Sequence, residues 1–213
     1  MKRILGFFGA GGMFLLAFAS SHAADSVFAV NPTGSWVTGG GITIGTPFQV
    51  GPSPITISSL GYYDQGGDGL ASAHMVGIYS LGQDLLRSVI IPSGTAATRW
   101  HDGTRWMNLD APIDLAAGTG YMLAFTTPSS GDRVNMDSVN QVTIDSHFAL
   151  VGTEYFYANG PGLAYPTTAS GYGKFAFGGN MSTIPEPQTW VMCGVVLCGV
   201  AGYVIRRRRT VTV

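Results

Sequence analysis

Between residues 24 and 181 no long window repeats its apolar residues every 3.6 positions. A chain without that period cannot build its core from amphipathic helices. Short runs alternate instead. Ile42 and Ile44, then Phe48 and Val50, flank a Gly-Thr-Pro break, and Ile55 and Ile57 lead into Leu60. Met75–Tyr79, Leu85–Ile91, Tyr121–Phe125, His147–Val151, Tyr155–Tyr157 and Lys174–Phe177 follow. Alternation sends successive side chains to opposite faces of a strand, so one face can be buried. Turn clusters separate the runs, at residues 64–69, 80–84, 92–94, 117–120 and 128–132. They draw on the chain's 31 glycines and 11 prolines, which supply the backbone angles that turns need. Strands at this spacing predict an all-β fold, a β-sandwich or jelly-roll-like domain. Gly160–Gly173, rich in Gly, Pro, Thr and Ser, reads as a loop.

The two ends have a different character. Lys2 and Arg3 precede an apolar stretch, Ile4–Ala19, and Ser21-His22-Ala23 offers small residues at the positions a signal peptidase reads. This predicts a secretory signal peptide cut after Ala23; the competing reading is a retained helix. At the other end Trp190–Ile205 holds no charge, and Arg206-Arg207-Arg208-Arg209 follows at once. A membrane-spanning helix needs roughly 20 apolar residues, about 17 at least, so the span sits near the lower limit. An arginine cluster marks the cytoplasmic side and leaves the body outside. A buried helix with a basic cap is the competing reading. The predicted organisation is a signal peptide at 1–23, an ectodomain at 24–181 and a linker at 182–187. A transmembrane helix at 188–205 and a basic cytoplasmic tail at 206–213 complete it.

Pro185-Glu186-Pro187, then an apolar span, then Arg206–Arg209 at the C-terminus resembles the PEP-CTERM sorting signal. Proteins with that signal are made by Gram-negative bacteria, often producers of exopolysaccharide. The resemblance implies recognition by an exosortase-like membrane protease that cuts near Pro185-Glu186-Pro187, after signal peptidase has acted. It also implies an inner-membrane precursor that ends at the cell surface or outside the cell. The tail Thr210-Val211-Thr212-Val213 is longer than in many members. Two prolines suit a protease site, because they disfavour regular structure at and before themselves. A looser likeness runs from about Phe48 to Phe125, carried by Leu60-Gly61-Tyr62-Tyr63-Asp64, His74–Tyr79, Trp106 and Ala117–Tyr121. That stretch is similar to a β-sandwich domain of unknown function in secreted bacterial proteins, which implies scaffold and no activity.

Charge narrows the partners. The whole chain is at −1, but Glu186 is the single acidic residue beyond the body, while Lys2, Arg3 and Arg206–Arg209 are basic residues outside it. The body therefore holds eleven acidic against five basic residues, near −6. Such a surface argues against nucleic acid. Both cysteines, Cys193 and Cys198, fall in the apolar span, so the body must hold together without disulfides.

Candidate chemistry is sparse. No Gly-x-Ser-x-Gly elbow occurs, and His74, His101 and His147 show no His-x-x-x-His spacing. The chain reads as a non-enzyme with no cofactor. Asp64 and Asp68, in Asp-Gln-Gly-Gly-Asp-Gly, could offer oxygens to calcium, although the same residues make ordinary turns. Trp100, His101, Asp102 and Arg105 form the densest polar-aromatic cluster, suited to stacking on a sugar and bonding its hydroxyls. Trp106, on a strand feeding the core, reads as packing, and Trp100 as more open. The expectation is an exported surface or matrix protein with a structural or interaction role; the alternatives are a carbohydrate-binding module for exopolysaccharide and a secreted hydrolase.

Overall fold

A computed structural model describes residues 26–30, 35–38, 40–97, 99–128, 131–137 and 142–183. The predicted signal peptide, Pro185-Glu186-Pro187, the apolar span and the arginine tail lie outside the described residues. Among those residues there is no helix; none is long and apolar enough to cross a membrane. The strands are β1 (Phe28–Val30), β2 (Trp36–Thr38), β3 (Ile42–Val50), β4 (Ile55–Tyr63), β5 (His74–Ser80), β6 (Leu85–Ile91), β7 (Arg99–His101) and β8 (Thr104–Leu115). They continue as β9 (Gly120–Thr127), β10 (Arg133–Asp137), β11 (Val142–Ile144), β12 (Phe148–Leu150), β13 (Phe156–Asn159), β14 (Thr168–Ala169), β15 (Phe175–Phe177) and β16 (Gly179–Ser182).

The fold is all-β and sandwich-like, with open sheets. The larger sheet runs β14-β13-β3-β9-β5-β6, with β12 also paired to β3. Facing it is a four-stranded sheet, β16-β4-β8-β7. Smaller sheets, β15-β10-β2 and β1-β11, finish the domain, and every pairing is antiparallel. The core lies between the two larger sheets. Ile44, Phe48, Val76, Ile78, Leu123 and Phe125 come from one side, Ile57, Leu60, Tyr62 and Leu115 from the other. Tyr62 meets Phe125 edge-on, ring centroids 5.7 Å apart at 74°, a favourable aromatic geometry.

Two departures from the sequence reading have clear causes. Gly45-Thr46-Pro47 does not break its strand; β3 runs through it for nine residues. Pro47 sits opposite the junction between β12 and β13, and its carbonyl accepts from Val151 N on that side. The missing proline amide therefore faces that junction and costs no bond to β9. The longest strand, β8, spans twelve residues. Its register against β4 slips between Ile57 paired with Ile113 and Ser59 paired with Asn108. The extra residues form a bulge that hides its period from the sequence.

Gly160–Gly173 is a loop, with the two-residue β14 inside it. It seals the outer face of the larger sheet. Leu163 and Tyr165 pack with Phe156 on Tyr79, Met122 and Ala124 as a second apolar cluster. The loop can approach because the sheet presents glycine there. A Cβ on Gly45 would lie 2.3 Å from Pro166 Cγ, and one on Gly77 2.7 Å from Leu163 Cδ2.

Candidate functional site

The β7–β8 hairpin turns on two residues, Asp102 and Gly103, with φ of 50° and 69°. Positive φ at both positions matches the right-handed twist of the flanking strands. The register sets Trp100 opposite Arg105 and Arg99 opposite Trp106. Cross-strand partners share a face, so the two tryptophans point to opposite sides. Trp106 is buried and its Nε1 donates to His101 O at 3.3 Å. Trp100 is 57% exposed.

Arg105 turns inward. Its Nε and Nη2 donate to Asp64 Oδ2 at 2.7 and 2.6 Å, and Nη2 also reaches Gly67 O at 3.1 Å. The same carboxylate oxygen accepts from Gly69 N at 3.1 Å. Both side chains are buried. Arg105 thus ties the 64–69 loop to the hairpin, and Trp100 lies on that loop. A Cβ on Gly67 would sit 3.0 Å from the Trp100 ring. One side of the indole is backed by backbone and the rest meets solvent. The two clusters singled out in the sequence, Asp64/Asp68 and Trp100–Arg105, form one surface.

Behind the loop is a polar cleft of about 250 Å³, lined by Tyr63, Asp64, Gln65, Asp68, Asp132 and Arg133 among others. Asp132 is mostly buried and belongs to a pair the sequence did not signal. His74 is fully buried, with Nε2 2.8 Å from Asp132 Oδ2 and Nδ1 2.7 Å from Thr126 O. Asp132 also accepts from Ala71 N at 2.8 Å and Ser72 N at 3.0 Å. A carbonyl can only accept, so Nδ1 carries a hydrogen, and the contact to Asp132 needs another. The ring is thus fixed between Thr126 O and a carboxyl group that Ala71 and Ser72 amides hold in place. Tyr62 stacks on the His74 ring, centroids 3.6 Å apart. Burial, and then the charge of Asp132, hold its hydroxyl far above the ordinary tyrosine range.

The remaining candidates are separate. His101 pairs with Asp102 at 2.9 Å and His147 with Asp145 at 2.7 Å, both at the surface. Asp102 and Asp145 line one hollow with Ser26, Thr143 and Ser146, while the His74–Asp132 pair is buried elsewhere. Asp68 is exposed on the loop and Asp64 is paired with Arg105, so a cation binding both would have to displace a guanidinium from a buried carboxylate. Among the described residues no group of three or more His, Cys, Asp or Glu is placed to hold a metal. Asn180, in a formal glycosylation sequon, is buried and bonded to Phe28 through both its amide atoms.

These features define a class: an all-β, sandwich-like domain with a buried polar scaffold and a backed, exposed aromatic side chain at one hairpin. Residues 29–177 match the family described as a domain of unknown function (DUF4082), and the chain belongs to that family. The match runs from β1 to β15. A search of the curated proteins found none that matches.

Proposed function

We propose that the chain is an exported surface or extracellular-matrix protein with a non-enzymatic, structural or interaction role. In this reading a β-sandwich or jelly-roll-like ectodomain is carried on a C-terminal transmembrane helix. An exosortase-like protease then releases it near Pro185-Glu186-Pro187. One observation supports it above the others. Ser26 is bridged to Ser182, which sets the residues just inside the two inferred processing points side by side in the fold.

The test is the mass of the protein in inner membrane, outer membrane and medium. A species lacking both terminal segments, found beyond the inner membrane, is the expected result. A species that keeps Arg206–Arg209 in the inner membrane would make it a single-pass anchored protein and end the sorting proposal.

Trp100 favours a second reading, a carbohydrate-binding module acting on exopolysaccharide. An exposed indole backed by Gly67 can stack on a sugar face, with exposed His101 and Asp102 on the same hairpin for its hydroxyls. Retention on a polysaccharide column, lost in Trp100→Ala, is the expected outcome; no retention on any glycan would count against it.

A further inference from the structure

Another hollow lies away from Trp100, over the small sheet β15-β10-β2. It has a volume of about 460 Å³ and is lined by Ser35, Val37, Met136, Tyr155, Tyr172 and Lys174. That size falls within the roughly 300–1,000 Å³ of small-ligand sites. Val37 and Met136 make an apolar floor, and two tyrosines make a wall. Tyr172 is 72% exposed, yet its ring is stacked on buried Tyr155, centroids 6.5 Å apart at 18°.

The loop bearing Tyr172 is tied from several sides. Gly171 and Gly173 take positive φ on either flank of it. Glu154 accepts from Ser170 Oγ at 2.6 Å and from Gly171 N. Ser170 N donates to Tyr155 O at 3.1 Å, Tyr155 N to Lys174 O at 2.9 Å, and Tyr172 N to Ser170 Oγ at 3.3 Å. A ring this exposed gains little from the core, while its loop holds it in place.

The charges around the hollow are few. Glu154 is engaged by Ser170 and Gly171. Lys174 is exposed at its edge. Burial raises the hydroxyl of Tyr155 above its usual range, so it stays a neutral donor. An aromatic face, tyrosine hydroxyls and an exposed lysine match a pyranose ring that carries a carboxylate.

We propose that the Tyr155–Tyr172–Lys174 groove binds the hexuronate residues of an acidic polysaccharide, with the sugar face on Tyr172 and its carboxylate at Lys174. This site does not depend on the sorting proposal or on Trp100. The test is affinity electrophoresis of the full-length chain, as recovered from its host, in gels holding sodium polygalacturonate or neutral dextran. Retardation is expected in polygalacturonate alone, and added salt should relieve it. Tyr172→Ala and Lys174→Gln should each weaken it about tenfold, the size of a lost charged contact, with melting temperatures unchanged. Trp100→Ala should leave it intact. No retardation by polygalacturonate, equal retardation by dextran, or loss in Trp100→Ala with Tyr172→Ala unaffected would each overturn the proposal.

Discussion

Asp64 and Arg105 show how one buried charge pair organises a surface. A guanidinium beneath the loop spends the carboxylate that the sequence offered to calcium, and the loop in turn backs Trp100. Removing one partner strands the other charge in the core, which costs about 3–5 kcal/mol. Asp64→Leu should therefore lower the urea unfolding free energy by about that much, and Asp64→Leu with Arg105→Met should recover most of it. Neither result could be read from residues 64–69 alone, because the guanidinium arrives from a strand some forty residues later. Gly45 makes a steric case at the same scale. A Cβ there would meet Pro166 Cγ at 2.3 Å. Gly45→Ala should cost about 1–3 kcal/mol, as overpacking does. Gly162→Ala, with nothing within 4 Å of its Cβ, should be close to neutral in the same denaturation series. Pro166→Ala should restore part of the Gly45→Ala loss, a coupling expected of residues in contact.

At the scale of elements, Asn180 latches the start of the fold to its end. Its Oδ1 accepts from Phe28 N at 3.1 Å and Met181 N at 2.9 Å, and its Nδ2 donates to Phe28 O at 2.8 Å. The side chain thus acts as a strand between β1 and β16. Asn180→Ala would leave buried backbone groups without partners, at about 1–3 kcal/mol each. Amide exchange at Phe28 should accelerate in that variant, while exchange in the β3–β9 pair should stay unchanged; equal protection at Phe28 would remove the latch. The hairpin β7–β8 carries a local signal in Asp102-Gly103, since Asp-Gly marks a two-residue turn, although residues 100–106 read in the sequence only as a polar-aromatic cluster. The latch carries no such signal, because 152 residues separate its partners.

At the scale of the whole molecule, tyrosine burial sets an alkaline limit. Tyr62, Tyr63, Tyr79, Tyr155 and Tyr165 are all shifted up from 10.0, first by burial. Below the unfolded value both states are protonated and stability is flat on this account. Above about pH 10 the unfolded chain releases protons that the folded chain keeps, so stability falls as pH rises. Urea midpoints should hold to near pH 9 and drop beyond pH 10, and the tyrosinate absorbance of these five rings should appear late, together with unfolding. An early, non-cooperative rise in tyrosinate for all nine tyrosines would show that these rings are not sealed.

The all-β class, the turns at residues 64–69 and 117–120 and the Gly160–Gly173 loop were determined by the sequence alone. Each rests on local rules: period-two alternation, turn chemistry and the lack of a helical period. The tertiary structure decided which strands pair and where Pro47 could sit without cost. It also decided that Asp64 and Asp132 serve Arg105 and His74, and that Tyr155, Tyr172 and Lys174 line one hollow. In an antiparallel fold of this kind most contacts join residues far apart in the chain. A side chain's partner is then set by register and sheet order, which no short window of sequence contains.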